Sequence, residues 1–237
     1  MIFAIAAAIA AAAPAAQPAS PHQSGCSEAV TADALVCRAL AAQKSGDPEL
    51  AAQSFEQAAK ASLERDPATT RMWAAAGNMW IAAGQPGKAA LDLDKALAAT
   101  GLQGEQRGEA LLDRARAAEA QDDLVTARAK INEAAQSIPD DPFYWYFSAA
   151  LAIRENNAAA AQAAIGKALT LAPSDATILF EAGHVAHFAG DDEQARSYWA
   201  RAAASDPNGT AGKEAAKAAE LLGVTPTVKS ETPPPKR

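Results

Sequence analysis

Residues Ala176 to Pro207 run ATILFEAGHVAHFAGDDEQARSYWARAAASDP, and the architecture of the whole chain can be read outward from them. It reads as two short helices joined by a tight turn at Ala189-Gly190-Asp191-Asp192. Leu179, Ala182, Gly183 and Ala186 share one face of the first helix at helical spacing. Ala195, Trp199 and Ala202 do the same on the second, and Pro207 stops it. Small residues let two helices cross closely, and a Leu and a Trp fill the space beside the crossing. One such hairpin cannot bury both of its faces, so it needs copies of itself alongside.

The chain supplies those copies. Ala32 to Ser45 and Pro48 to Glu64 form a first pair, split by Gly46-Asp47-Pro48, with Leu35, Ala39, Ala51 and Phe55 packing between them. Thr69 to Ala83 and Pro86 to Ala99 form a second, carrying Trp73, Gly77, Trp80, Ala89 and Leu93. A Gly-rich link (Gly101, Gly104, Gly108) leads to a third, built on Leu111, Ala115, Ala127 and Ile131. A fourth uses Trp145, Ala149, Ala161 and Ile165, and the opening stretch is the fifth. After Pro207-Asn208-Gly209, Thr210 is placed to cap a last helix through about Leu222, its polar residues alternating with Ala and Leu as suits the closed end of an array. Thr225 to Arg237, with four prolines, reads as a disordered tail. Asn208-Gly209-Thr210 matches a glycosylation acceptor, but a turn explains it adequately.

The pattern resembles the tetratricopeptide repeat family. The resemblance rests on the large-small spacing of each first helix (Trp73, Gly77, Trp80; Leu179, Gly183, Ala186) and on Ala-x3-large-x2-Ala in each second helix. Pro139, Pro173 and Pro207 close three of the pairs. Successive copies lie 38, 38, 34 and 34 residues apart, so the later ones match the family period and the earlier ones carry insertions. Arg38 and Arg114 stand where the family has an apolar residue, so the first and third copies match less well.

Composition agrees with thin helical layers. Hydrophobic residues make up 49%, yet Ala dominates them and aromatics are only 5%. Ala forms helix best and buries little area. The net charge of -7, with no basic cluster on any expected helix, argues against nucleic-acid binding.

The N-terminus points to export. Ile2 to Ala13 has the length of a signal core, and Ala13-Pro14-Ala15-Ala16 offers a cleavage zone, although no Lys or Arg precedes the run. The run is short of the ~20 residues a spanning helix needs. Cys26 and Cys37 fit one structural disulfide in an oxidising compartment. One helix through both would hold their Cα atoms about 16 Å apart. A bridge therefore requires the chain at Cys26 to fold back on a helix starting near Thr31, a reasonable N-cap. Gln23 and Ser24 stand where a lipoprotein signal has an aliphatic residue, so no lipid anchor is expected at Cys26.

No catalytic constellation is present in the sequence: neither a nucleophile elbow nor a metalloprotease helix signature occurs. Ala82 to Ala89, AAGQPGKA, only superficially matches a phosphate loop and reads as an inter-helix turn. His184 and His187 fall on one helix face, but two ligands do not make a stable metal site.

The family resemblance implies that the first helices of successive repeats line a concave groove for an extended peptide or a partner's helix. Matched by helix face, the groove would show Arg71, Asn78 and Ile81, then Leu112, Arg116 and Glu119. Phe143, Tyr146, Ile153 and Arg154 follow, and then Phe180, His184, His187 and Phe188. Tyr146, Arg154, Phe180, His184 and Phe188 form the expected anchor cluster, because aromatic rings and Arg carry much contact energy. Some relatives clamp a terminal carboxylate with Lys, Asn and Arg; the lysines are missing from these faces, so that specificity is not expected.

The expected molecule is an all-α, right-handed α-solenoid of about five helix-turn-helix repeats with a C-terminal capping helix. Its expected divisions are a signal peptide at 1–16, a linker at 17–31, the repeat domain at 32–222 and a Pro-rich tail at 223–237. The expected function is a non-catalytic protein-binding scaffold in the periplasm or envelope, without cofactor and without a membrane span in the mature chain. Two alternatives stand beside it: a metal-binding module on His184 and His187, and an envelope protein that self-associates through its open array ends.

Overall fold

A computed structural model describes residues 25–63 and 65–223. The expected signal peptide, most of the linker and the tail from residue 224 lie outside the described residues. Eleven α-helices and no strand occur among the described residues. They are α1 Ala32–Lys44, α2 Pro48–Ala61, α3 Pro67–Ala82, α4 Pro86–Ala98, α5 Gly104–Glu119 and α6 Leu124–Ala134. The rest are α7 Pro142–Arg154, α8 Ala158–Leu171, α9 Ala176–Phe188, α10 Asp192–Ser205 and α11 Thr210–Gly223.

Local chemistry sets most helix starts. The side chains of Asp47, Asp66, Asp123, Asp141, Asn157, Asp175 and Asp191 accept from backbone N–H groups in the first turn of α2, α3, α6, α7, α8, α9 and α10. Pro stands in the first turn of α2, α3, α4 and α7, where its missing N–H costs nothing. Thr31 caps α1 as expected, through Ala34 N–H. Thr210, by contrast, is the first residue of α11 rather than its cap; Asp206 Oδ1 accepts from Gly209 N–H at 2.9 Å just upstream.

The turn within each hairpin is the same turn five times. Gly46, Gly84, Asp122, Asn156 and Gly190 all have left-handed φ, between 57° and 84°. The next residue in each case donates back to a carbonyl in the last turn, as Asp191 N–H does to Ala186 O at 2.9 Å and Gln85 N–H to Trp80 O at 2.9 Å. AAGQPGKA is this turn, with Gly84 at its left-handed position.

Most of the extra residues of the longer periods become helix, not loop. α3 and α5 are 16 residues long, against 13 for α7 and α9. The expected Gly-rich link is therefore wrong beyond Gly101 and its immediate neighbours. α5 begins at Gly104, and Gly108 lies inside it, buried so closely that a Cβ would stand 2.7 Å from Ile138 Cγ2. Likewise α3 starts two residues before the expected Thr69, at Pro67 behind its Asp66 cap.

Consecutive helices pack antiparallel in hairpins, and the odd-numbered helices also pack on one another, α3 on α5, α5 on α7, α7 on α9 and α9 on α11. The even-numbered helices form no comparable row. Close spacing in one layer and wide spacing in the other curves the array, with the odd-numbered layer inside. The core between layers is mostly Ala, with Trp80, Leu93, Leu111, Ile131, Ile178 and Leu179 as its large buried members. Two glycines permit the tightest crossings. A Cβ at Gly77 would lie 2.5 Å from Leu93 Cγ, and one at Gly183 would collide with the Trp199 indole.

The two arginines that break the repeat pattern are accommodated by polar partners. Arg114 lies 14% exposed and forks onto Asp94 of α4, at 2.8 and 3.3 Å. Arg38 donates to Ala29 O at 2.9 Å and so holds the segment before α1. That segment folds back as the cysteine spacing requires: Cys26 and Cys37 are bridged, with Cα atoms 5.8 Å apart.

Candidate functional site

The inner layer carries two open cavities. The first, about 580 Å³, lies among α1, α3 and α5. Leu40, Phe55, Met79, Leu102 and Leu112 give it an apolar floor; Arg71, Asn78, Glu109 and Asp113 bring polar groups to its wall. The second, about 570 Å³, lies among α5, α7 and α9, with Ile81 of α3 at its margin. Arg116, Glu119, Tyr146, Phe147, Arg154, Glu181 and His184 line it.

The first cavity has an acidic side. Asn78 Nδ2 donates to Asp113 Oδ2 at 2.7 Å, and Arg116 Nη1 donates to Asp113 Oδ1 at 2.8 Å. Burial nevertheless holds the Asp113 carboxyl above its ordinary range, against the pull of Asn78 and Arg116. Glu109, one turn earlier, is also raised, first by burial and then by Glu105, Asp113 and Asp141.

In the second cavity most charges are already used by the fold. Arg154 of α7 reaches across to α5 and its turn, donating to the Glu119 carboxylate, to Glu119 O at 3.2 Å and to Asp122 Oδ1 at 2.6 Å. It clasps the fourth repeat to the third. Tyr146 is half-buried, its phenol held above the usual range by burial and then by the nearby Glu181 carboxylate. Phe143, 50% exposed, meets the Tyr146 ring edge-on at 6.2 Å.

The expected groove residues therefore divide. Arg71 and Asn78 line the first cavity; Arg116, Tyr146, Arg154 and His184 line the second. Phe180, His187 and Phe188 line neither. The Phe180 ring lies edge-on to His184 at 4.3 Å, and its carbonyl accepts from Trp199 Nε1 at 3.0 Å. His187 is exposed and pairs with Asp192 Oδ1 at 2.7 Å, whereas His184 Nδ1 faces Glu181 Oε2 at 3.3 Å. The two imidazoles are thus committed to different carboxylates. Among the described residues no group of three or more His, Cys, Asp and Glu side chains is arranged to hold a metal ion.

Sequence reasoning missed Glu109 and Asp113 in the first cavity and Glu181 in the second. Each is a carboxylate on the inner layer. Glu181 had a signal, as the one charge in the apolar run ILFEAGHVA.

No protein-family model matches the sequence, and no curated protein matches it. Solved structures do. PilW, a widely conserved type IV pilus biogenesis factor, aligns over 77% of this chain and 81% of its own, at 19% identity and a TM-score of 0.65. The pilF protein of Pseudomonas aeruginosa aligns over 80% and 82%, at 17% identity and a TM-score of 0.62. YrrB, a tetratricopeptide repeat protein with an unusual peptide-binding site, aligns over 78% and 92%, at 16% identity and a TM-score of 0.56. At these identities the likeness is one of architecture, and it agrees with the five repeated hairpins and their common turn. The chain has the tetratricopeptide-repeat fold.

Proposed function

We propose that this protein is a non-catalytic scaffold that holds an extended peptide segment, or a partner protein's helix, along the inner layer of its repeats. One observation carries the reading. The odd-numbered helices from α3 to α11 pack in one inner row with two open cavities, of about 580 and 570 Å³, each pairing an apolar floor with polar groups at the rim. A preformed curved wall binds a segment with little ordering cost on its own side. Arg71, Asn78, Arg116, Tyr146 and His184 supply contact in this reading, and Arg154 shapes the wall. Phe180, His187 and Phe188 serve at most its far rim. The binding unit is the array from Ala32 to Leu222, behind a signal peptide and linker and ahead of the Pro-rich tail.

The site of action in this proposal is the periplasm or a comparable exported compartment. The Cys26–Cys37 bridge supports it, because structural disulfides persist where the medium is oxidising. Among the described residues no helix is long and apolar enough to cross a membrane. N-terminal sequencing of the native protein tests the export step; a chain starting at Met1 overturns it.

The groove itself is tested by a photo-crosslinking residue placed at Tyr146, or at Val125, which is 83% exposed on α6 of the outer layer. A partner captured from Tyr146 and not from Val125, and lost with Arg71→Ala and His184→Ala together, supports the reading. Equal capture from both positions overturns it.

A further inference from the structure

Glu181 is the charge of the second cavity that the fold compensates least. It sits on α9, only 8% exposed, and lines the second cavity beside Tyr146, Phe147 and Leu151. The other charged side chains of that wall face full opposite charges: Arg116 has Asp113, and Arg154 has both Glu119 and Asp122. Glu181 has only the His184 imidazole, at 3.3 Å, which bears charge only when protonated. That distance is long for a strong charge-assisted bond. A carboxylate removed from water is destabilising unless a cation or several donors repay its lost hydration. The space to admit a cation is present, since the cavity opens on the concave side and holds about 570 Å³. Its aromatic lining suits a flat, weakly hydrated cation better than a compact ammonium.

We propose that the second cavity selects a ligand segment bearing an arginine, whose guanidinium seats against Glu181 beside Tyr146. The inference rests on the groove reading and adds a charge requirement to it. In the first cavity the most buried carboxylate, Asp113, already accepts from Asn78 and Arg116.

The test compares two probes of nearly equal shape, N-acetylarginine amide and N-acetylcitrulline amide, the second uncharged. Each is titrated into the full chain while the ring resonances of His184 and Tyr146 are followed by NMR. The arginine probe should shift both rings at a concentration roughly tenfold lower than the citrulline probe, the size of effect expected for a hydrogen bond to a charged group. Glu181→Gln should bring the two probes together. Equal titration of both probes in the wild-type protein overturns the proposal. So does an arginine preference that survives Glu181→Gln, or no shift with arginine at its highest soluble concentration. The wild-type comparison needs no variant, so a misfolded substitution cannot hide the answer. If arginine preference fails while Tyr146 still captures a partner, the charge requirement falls and the groove reading stands. If capture fails and the preference remains, the reverse holds.

Discussion

At the scale of single residues, the fold depends on what is missing as much as on what is present. Gly183 has no side chain because the Trp199 indole occupies that space and donates to Phe180 O. Gly183→Ala must therefore push α9 and α10 apart. Overpacking of this kind costs about 1–3 kcal/mol, read as a lower urea midpoint and a changed Trp199 fluorescence. Asp113 makes a second residue-scale prediction. Burial raises its carboxyl in the folded chain, so the folded state holds that proton more tightly than the unfolded one. Its contribution to stability is then complete below the unfolded carboxyl pKa, about 3.9, and is lost as pH rises through the raised folded value. Asp113→Asn should lose less stability than the wild type between about pH 4 and pH 7. Urea midpoints at the two pH values measure this; equal losses would contradict it.

At the scale of elements, the two ends of the array are closed by different devices. The N-terminal end uses a covalent one. Cys26–Cys37 and the Arg38 bond to Ala29 O pin the chain back on α1. Cys26→Ser with Cys37→Ser should speed amide hydrogen exchange in α1 while leaving α7 to α10 unchanged, because repeats feel mainly their neighbours. The C-terminal end uses α11, which packs on both α9 and α10 and buries Gly212 and Ala215 while leaving Leu221 77% exposed. Ending the chain at Pro207 uncovers the apolar cluster of Leu179, Ala186 and Trp199. The truncated protein should show a mass that grows with concentration in sedimentation or light scattering. A strictly monomeric truncated chain would show that α11 is no cap.

For the whole molecule, the seam between the third and fourth repeats is the thinnest. α6 and α5 approach α7 over a smaller stretch than the other neighbouring repeats share. Ion pairs span this gap: Arg154 to Glu119 and Asp122, and Arg128 to Glu155 at 2.6 Å with Ser148 beside it. The second cavity straddles the same seam. Arg128→Ala combined with Arg154→Ala should split one unfolding transition into two, visible by calorimetry, and high salt should move the wild-type protein the same way. A single unaltered transition would place the coupling in the apolar contacts of Leu111, Tyr144 and Leu151 instead.

Much of this was legible in the chain before any coordinates. Five hairpins, their Ala-rich seams and the fold-back at Cys26 followed from periodicity, proline positions and the reach of a disulfide, all of which are local properties. The turn residues Gly46, Gly84 and Gly190 announced their left-handed conformation by being Gly, whereas Asp122 and Asn156 fill the same position without that signal. Gly104 and Gly108 misled for the complementary reason. Gly is read as loop, yet here α5 extends by a turn and Gly108 is required for the approach of Ile138. The groove was legible as a face but not as a site. Which inner charges are spent depends on residues 32 to 35 positions away, as Arg154 and Asn78 show with their partners on or just beyond α5. Spacing along one helix carries no information about that distance. The repeat and its layers were written in local spacing, whereas long-range packing alone makes Arg154 a clasp, leaves Phe180 and Phe188 out of the lining of both cavities, and buries Glu181 with an imidazole as its partner.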